Sequence, residues 1–425
     1  MGLFLLFGLF FAGLIAGVPV AFALGFATVV VFLYEGLPLF VAFQRIVSGI
    51  SVFSLLAIPF FIFAGELMLQ GGIAVRLVRL ASAAVGSIRG GLGVVNVASS
   101  MLFGGISGSA VADTSALGSI LIPVMKEKGY DADYAVNVTV TSSIAGVVIP
   151  PSHNMILYAV AAGGVSVSSL FLAGIVPGII MCLFLGVAAY LVAVRRGYPA
   201  EAFPGWSFLA RSFVYAFPGL FTAVIIVGGV LSGIMTVTES GAFGAIYAIV
   251  VTALVYRELD WERFKTAVLT SVKTTSLVMI LVATAMAFAY LLTLYRVPDM
   301  LANGITSISD NPLVILLLIN IVLLVLGMVM DMAALILICT PIFLPLAREI
   351  GMDPVQFGII IMMNLGLGLC TPPVGACLFV GCVVGGVRID QAVRTIWPFY
   401  LAIIAALLLV TYIPSISMYL PNLTK

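Results

Sequence analysis

The chain has 425 residues, 63% of them hydrophobic and 8% charged, and its formal net charge is +1. A water-soluble domain needs a polar surface and about a quarter of its residues charged. The composition therefore excludes a soluble protein, predicts an all-α polytopic membrane protein within the lipid bilayer, and gives no reason to expect nucleic acid as a partner.

Long apolar runs predict transmembrane helices, because each run is long enough to cross about 30 Å of hydrocarbon. Residues 2–34 form either one helix kinked at Gly17-Val18-Pro19 or two short helices, and similarity to the second half favours two. Residues 73–89, with Arg76 and Arg79 on one face, predict an amphipathic helix at the membrane interface. The long apolar runs lie near residues 53–70, 168–194, 213–233, 239–256, 276–295 and 395–420.

Four other stretches are apolar but interrupted by Gly, Ser, Pro and acidic residues. Non-helical backbone persists at membrane depth only where protein or a water-filled cavity satisfies its peptide groups. We expect the first and third stretches to be re-entrant helical hairpins. We expect the second and fourth to be transmembrane helices broken at Pro150-Pro151 and Pro372-Pro373. The four stretches are 91–123, 131–164, 312–345 and 354–386.

The first hairpin and broken helix recur in the second half of the chain. Adding 218 to the residue number places Asp113 and Pro123 on Asp331 and Pro341. After an inferred insertion of four residues, an offset of 222 places the first Pro-Pro pair on the second. Ordinary apolar composition does not repeat helix breakers and acids, so the pattern predicts an internal duplication.

The basic residues predict the orientation. With the N-terminus outside and ten spanning helices plus two hairpins, most Lys and Arg residues fall on the cytoplasmic side, as is typical of membrane proteins. Each half, 1–200 and 201–425, then has five spans, so we expect two inverted-topology repeats whose hairpins meet near the midplane. Both termini are expected outside. The basic residues left outside are Arg45, Arg296, Arg348 and Lys425.

The two breaks carry polar groups suited to a cation. The first hairpin turns through residues 104–113, rich in glycine and serine, and faces a break at 148–154. The second copy offers residues 327–331 and 369–375. A Pro-Pro pair frees carbonyl oxygens, which are hard ligands for a cation, so each half predicts one cation site. Half-helix N-termini at the same cavity carry positive partial charge and favour an anionic co-substrate.

Several polar residues permit two interpretations. Asp113 and Asp331 would each cost about 2.5–3.5 kcal/mol at a helix centre in lipid, so they either bind ions or cap the hairpin half-helices. His153 is either a proton sensor or a neutral, hydrogen-bonded ring. Glu66 and Glu239 either line the cavity or hold the halves in register. Without a phosphate loop or a metal-binding cysteine pattern, the sequence predicts no cofactor.

Four strings carry a family resemblance: IPFFIFAGELM (58–68), GGISGSAVADTSALGSILIP (104–123), VIPPSHN (148–154) and CTPPVGA (370–376). In these strings, and over essentially its whole length, the chain resembles the large membrane subunit of tripartite ATP-independent periplasmic (TRAP) transporters. The resemblance implies a sodium-coupled secondary transporter of the ion-transporter superfamily in the bacterial inner membrane. In such a transporter the hairpins and broken helices form a domain that moves elevator-fashion against scaffold helices, here expected within 1–70 and 205–295.

The resemblance also implies partners and site residues. The partners are a separate small four-helix membrane subunit and a periplasmic substrate-binding protein that delivers an organic acid, such as a C4-dicarboxylate or sialic acid. Arg45, Arg296 and Arg348 are candidates for docking the binding protein. The implied Na⁺ ligands are Ser107, Ser109, Asp113, Pro150, Asp331, Thr371 and Pro372, and the implied substrate-binding residues are Ser107, Ser152, His153 and Asn154.

Other functions remain open at this stage. A stand-alone sodium/anion symporter and a cation/proton antiporter share the same physical design. An intramembrane hydrolase would use Asp113 and Asp331 as a catalytic pair. A passive channel would show flux independent of Na⁺.

Overall fold

The computed structural model describes residues 1–423, so Lys425 lies outside the described part. Regular secondary structure in this part is entirely helical. Six described helices are long and apolar enough to cross a membrane, or nine when three bent pairs each count as one span. The predicted all-helical class of a multi-pass membrane protein is confirmed.

The first residues form two short helices, as predicted. α1 (Gly2–Ile15) ends before Gly17, whose backbone is left-handed with φ of +80°, and Pro19 precedes α2 (Val20–Tyr34). These helices have 14 and 15 residues, or about 21–22 Å at 1.5 Å per residue, which is shorter than the hydrocarbon core. The ten predicted spans include these two helices. Because both are short, the six to nine spans counted by length and composition are fewer than ten.

The remaining helices of the first half follow the predicted order. Residues 132–161 form one span that is broken after Val148, where the chain bends by 53°. A long unbroken helix follows it. A 3₁₀ turn at Phe53–Leu56 lies between the first and second helices listed. The helices are α3 (Leu39–Ile50), α4 (Ala57–Gln70), α5 (Ile73–Val85), α6 (Gly91–Ser107), α7 (Ala110–Glu127), α8 (Ala132–Ser142), α9 (Ala145–Val148), α10 (His153–Ala161) and α11 (Val167–Arg195).

The second half differs from prediction at two places. The run predicted at 276–295 begins earlier, where Asp260 caps a helix of 34 residues. The run predicted at 395–420 is not one helix, because Pro414 lacks an amide donor and the chain bends there by 60°. The helices are α12 (Trp206–Leu231), α13 (Val237–Val250, continued by a π-helical turn Val251–Val255), α14 (Trp261–Leu294), α15 (Val297–Thr306), α16 (Pro312–Gly327), α17 (Met332–Glu349), α18 (Pro354–Leu369), α19 (Ala376–Gly385), α20 (Ile389–Thr395), α21 (Trp397–Tyr412) and α22 (Pro414–Leu423).

The helix bounds correct the register between the two hairpins. α7 and α17 each contain 18 residues, and they begin and end 222 residues apart. Each is followed by a left-handed glycine, Gly129 (φ +82°) and Gly351 (φ +83°), at the same separation. The inferred four-residue insertion is therefore wrong. Pro123 corresponds in helix position to Pro345 and not to Pro341, which lies about one helical turn earlier.

This register changes which acidic residues correspond. Ser109 and Asp331 are both N-caps, of α7 and α17 respectively, whereas Asp113 lies within the first turn of α7. The residue of α17 at the position of Asp113 is the apolar Leu335. The pairing of Asp113 with Asp331 was wrong, so the two hairpins do not present equivalent carboxylates.

Glycines bring each hairpin against the adjoining broken helix. A Cβ atom on Gly104 of α6 would lie 2.8 Å from the backbone of Ala145 and Gly146 at α9. A Cβ atom on Gly368 of α18 would lie 2.5 Å from the backbone of Gly327 at the end of α16. These contacts are closer than any side chain permits, so backbone meets backbone in both halves.

Buried polar side chains also join each hairpin to its broken helix. Asn96 of α6 donates from Nδ2 to Thr139 Oγ1 of α8 at 2.6 Å. In the second half, Asn364 of α18 donates from Nδ2 to Asn320 Oδ1 of α16, also at 2.6 Å. Such pairs satisfy polar groups where no water reaches them, and they fix the depth of one helix relative to the other.

The two halves interlock. α19, which follows the second break, packs against α7 and α8, while α10, which follows the first break, packs against α17. Gly381 allows the first contact, because a Cβ atom there would lie 2.3 Å from Val140 Cγ2. Lys126 at the end of α7 donates to the carbonyl of Gly385 at 3.3 Å. Each hairpin is thus walled partly by the other half.

Replacing Gly368 by alanine tests the close backbone contact. Because the new Cβ would collide with Gly327, we expect Gly368→Ala to lower the free energy of unfolding by about 1–3 kcal/mol, the usual cost of overpacking. The measurement is thermal unfolding of the purified protein in detergent. Gly186→Ala in α11 is the control, because its Cβ would meet nothing within 4 Å. Equal melting temperatures for the two variants would contradict the packing described.

Candidate functional site

A cavity of about 540 Å³ lies where the hairpin turns approach α4 and α14. α4 and α14 line one side, and the first turns of α7, α10 and α17 line the other. The turn between α6 and α7 contributes Ser107 and Ser109. The cavity is large enough for a small organic molecule, since ligand sites typically enclose about 300–1,000 Å³.

The first hairpin turn holds the Asp113 carboxylate against the Ser107 hydroxyl. α6 ends at Ser107, Gly108 adopts a left-handed φ of +64°, and Ser109 caps α7 by accepting from the amide of Ala112. The Ser107 hydroxyl donates to Asp113 Oδ1, and the amide of Ser109 donates to Ser107 Oγ at 3.3 Å. Three predicted Na⁺ ligands, Ser107, Ser109 and Asp113, are therefore brought together in one turn.

The second oxygen of Asp113 has no hydrogen-bond partner among the described residues. The side chain is fully buried, and a Cβ atom on Gly146 would lie 2.5 Å from Oδ2, so this oxygen faces α9. A buried charged oxygen without a partner is costly, and a bound cation would satisfy it. Asp113 itself does not line the 540 Å³ cavity.

The first break lies against this turn. The peptide bond between Pro150 and Pro151 is cis. The carbonyl oxygen of Pro150 lies 3.3 Å from the Cβ position of Gly105, and that of Pro151 lies 3.1 Å from the Cβ position of Gly108. The freed carbonyls of the broken helix therefore border the end of α6, close to the serines and the carboxylate.

The second hairpin turn is built differently. Asp331 is the N-cap of α17, and its Oδ2 accepts from the amide of Ala333 at 2.9 Å. Thr371, just after the end of α18, donates to the carbonyl of Leu367 at 2.7 Å, which directs its hydroxyl back to that helix. Of the ligands predicted in this half, Asp331 lines the cavity, whereas Thr371 and Pro372 do not. The capping role left open for Asp331 is the one observed.

The predicted substrate-binding residues lie at the start of α10. His153 and Asn154 line the cavity together with Ser107. Ser152, one residue earlier, does not line it; its side chain is fully buried and its hydroxyl has no partner in the described part of the chain. Three of the four predicted residues are therefore brought together, and the fourth lies behind them.

Glu66 and Glu239 occupy different environments. Glu66 of α4 lines the cavity, which is one of the two roles left open for it. Glu239 does neither of the predicted things, because it is exposed and forms a capping box with Thr236 at the start of α13. The spacing Thr236-x-x-Glu239 is the sequence signal of such a cap. Thr274 of α14 also lines the cavity, and no sequence signal marks it, because it lies in an ordinary apolar span.

The three arginines proposed for docking are all exposed. Arg45 lies on α3, with its guanidinium 4.6 Å from the centre of the Tyr290 ring. Arg296 precedes α15 with a left-handed φ of +53°, and Arg348 lies in the last turn of α17. Their docking role stays a prediction.

Comparison with known proteins identifies relatives over nearly the whole chain. Residues 7–416 match the family described as "Tripartite ATP-independent periplasmic transporter, DctM component". The chain is 41% identical to the C4-dicarboxylate TRAP transporter large permease protein DctM of Pseudomonas aeruginosa, covering 87% of this chain and 86% of that protein. It is 38% identical to the sialic acid TRAP transporter large permease protein SiaM of Vibrio cholerae, covering 96% of each.

The fold is also similar to a solved structure. The Alcanivorax borkumensis YdaH transporter superposes with a TM-score of 0.65 over 88% of each chain. Its sequence identity is 13%, so the likeness concerns the fold.

The capping role of Asp331 gives a testable prediction. Replacing an N-cap acid by alanine typically costs about 0.5–2 kcal/mol, whereas Asn at that position keeps the acceptor. We therefore expect Asp331→Ala to lower the melting temperature and Asp331→Asn to retain it, measured by thermal unfolding in detergent. Asp310→Asn, at an exposed residue before α16, controls for the charge change. If the Asn variant melts as low as the Ala variant, the capping bond is not what Asp331 supplies.

Proposed function

The chain belongs to the DctM family of tripartite ATP-independent periplasmic transporters, and we propose that it imports a small organic acid across a bacterial inner membrane by coupling to Na⁺. Members of this family are transporter permeases and not enzymes, so the hydrolase alternative is dropped. The relatives named for C4-dicarboxylate and sialic acid transport support an organic acid as the class of substrate.

The observation that carries the proposal is the charge pattern of the cavity. Among the described residues that line it there is no Lys or Arg, and Glu66 and Asp331 are both acids. An organic anion entering it alone would be destabilised. The N-terminal turns of α7, α10 and α17 all border the cavity, and each supplies positive partial charge and free amides. Na⁺ supplies the remaining charge, so anion and cation bind better together than apart.

The size of this coupling follows from simple electrostatics. Two opposite unit charges about 4 Å apart attract by roughly 4 kcal/mol at an effective dielectric constant of about 20. That attraction amounts to about a thousandfold change in affinity. By linkage, each ligand raises the affinity for the other by the same factor, which is the thermodynamic basis of symport.

The first Na⁺ site in this proposal lies in the first hairpin turn. Its protein ligands are Asp113 Oδ2, the hydroxyls of Ser107 and Ser109, and the carbonyl oxygen of Pro150. The unpartnered Oδ2 and the freed carbonyls beside the turn support this assignment. All are oxygen ligands, which suit a hard cation.

The second proposed site, at Asp331, Thr371 and Pro372, has a different donor set. The Asp331 carboxylate already accepts a helix amide, and Leu335 stands where the first half has Asp113. Backbone carbonyls of the second break would therefore supply most of the ligands. Ser107, His153 and Asn154 hold the substrate on the side of the first hairpin, with Ser152 behind them.

We include an elevator motion and two inverted repeats in the proposal. The interlocked packing of α7 with α19, and of α10 with α17, supports treating hairpins and broken helices as one moving body. The scaffold is then α1 to α4 with α12 to α14. At the boundary, a Cβ atom on Gly65 of α4 would lie 3.2 Å from the carbonyl of Ile106, so a smooth helix face meets the hairpin tip.

The proposal includes two partners. A separate small membrane subunit covers part of the scaffold, and a periplasmic binding protein delivers the acid. Docking of that protein involves Arg45, Arg296 and Arg348 on the outer face. In this orientation both termini are periplasmic.

Uptake into proteoliposomes tests the function as a whole. We expect a radiolabelled C4-dicarboxylate or sialic acid to accumulate only with the small subunit, the binding protein and an inward Na⁺ gradient present together. Replacing the Na⁺ gradient by an equal K⁺ gradient is the control. Uptake without binding protein would favour a stand-alone symporter, dependence on a proton gradient alone would favour an antiporter, and flux without any gradient would favour a channel.

Unequal effects of two carboxylates test the ion sites. Because Asp113 has a free buried oxygen and Asp331 is engaged as a cap, we expect Asp113→Asn to lower the apparent Na⁺ affinity of uptake at least about tenfold. Asp331→Asn should change it by less than about threefold. Asp310→Asn again serves as the exposed control. Unchanged Na⁺ dependence in Asp113→Asn would remove the first site from the proposal.

A further inference from the structure

A second polar cavity, distinct from the transport cavity, lies between α5 and α12. Its volume is about 350 Å³. Three arginines line it: Arg76 and Arg79 from the amphipathic α5, and Arg211 from the first turns of α12. Ser212 and Tyr215 add hydroxyl groups, and Glu258 is the single acid among its described lining residues. We call it the arginine cavity.

The one acid of the arginine cavity is already engaged. Glu258 pairs with Arg76 at 2.6 Å and lies 3.6 Å from Arg263. Arg76 also donates to the carbonyl of Gly72 at 2.9 Å, and its guanidinium lies 3.9 Å from the centre of the Tyr256 ring. Arg76 and Glu258 therefore form a neutral ion pair, held in place by these contacts, on one side of the arginine cavity.

Arg79 and Arg211 are left without a counter-charge. Neither makes a hydrogen bond or ion pair with another residue in the described 1–423 range, and both are exposed. Two like charges facing one small cavity repel each other unless an anion lies between them. Guanidinium groups bind the oxygens of phosphate with particular strength, because each offers a planar fork of donors.

The rim of the arginine cavity is apolar and faces outward. Val75 is 40% exposed and Phe208 is 46% exposed, and both line the cavity. Trp206, 77% exposed, begins α12, and exposed tryptophans are enriched at membrane interfaces. A ligand with an anionic head and apolar chains matches this combination, whereas a free phosphate ion would make no use of the rim.

We propose that the arginine cavity binds the phosphate headgroup of an anionic phospholipid. Arg79 and Arg211 hold the phosphate oxygens, Ser212 and Tyr215 offer further hydrogen bonds, and the acyl chains lie along Val75 and Phe208. Basic cavities between helices on the positively charged side of membrane proteins are suited to such headgroups. The bound lipid ties α5, which leads into the first hairpin, to α12, which begins the second half.

Lipid-dependent thermal stability tests this proposal. We expect dioleoyl phosphatidylglycerol or diphosphatidylglycerol, added to the protein in detergent, to raise its melting temperature, because a ligand that binds the folded state stabilises it. Arg79→Gln/Arg211→Gln should require at least about tenfold more lipid for the same shift. Arg89→Gln/Arg195→Gln is the matched control, since it removes two exposed arginines outside the cavity. Dioleoyl phosphatidylcholine should give no comparable shift.

Native mass spectrometry of the same variants provides a second measurement, taken on the folded monomer with the lipid that it retains. Retained phosphatidylglycerol should fall in the cavity variant and persist in the control. Equal retention in both overturns the proposal. A full shift from inorganic phosphate alone overturns the lipid assignment in favour of a soluble phosphate. Loss of the co-purified small subunit from the cavity variant, with no lipid shift in the parent protein, identifies the cavity as a subunit interface instead.

Discussion

The structure depends on one constraint: a peptide group at membrane depth must have a partner. Each broken helix releases carbonyls where no bulk water is available, and the chain places a hairpin turn of the same half against them. The carbonyl of Met328 in the second hairpin turn accepts from the amide of Val374 in the second break at 3.1 Å, a direct backbone link. Glycines on both sides allow this closeness. The irregular backbone of the breaks and the small residues of the hairpin turns therefore occur together. The candidate ion and anion sites lie where backbone oxygens and amides keep no partner within the described part of the chain.

The two halves use the same architecture with different chemistry. The first turn is capped by a neutral serine and keeps a buried carboxylate for another purpose, whereas the second uses its carboxylate as the cap. The two hairpin turns therefore differ by the position of one acid, which is shifted by about one turn of helix. The arrangement also separates the negative charge at Asp113 from the cavity in which an anion would lie, so that attraction to a cation is kept while repulsion of the solute is reduced.

Much of the fold was predictable, because helix breakers and long apolar runs act locally. The hairpins, both Pro-Pro breaks and the split of the first segment all followed from glycine and proline positions. The register between the halves did not, since α17 carries prolines at 341 and 345, one turn apart, and a one-turn shift leaves nearly the same helix face apolar. Neither Thr274 nor the arginine cavity had a local signal, because each depends on which distant helix packs alongside. Glu239 could have been assigned from its capping-box spacing, which the sequence shows plainly.

The interlocking of the halves has a consequence for biogenesis. α7 leaves the ribosome long before α19, the helix that walls it, has been synthesised. At about 5–20 residues per second, the delay between them is on the order of tens of seconds. Through that interval the first hairpin has no C-terminal neighbour, and its buried carboxylate has no completed enclosure. The packing of the first hairpin is therefore completed only after the last third of the chain has been synthesised.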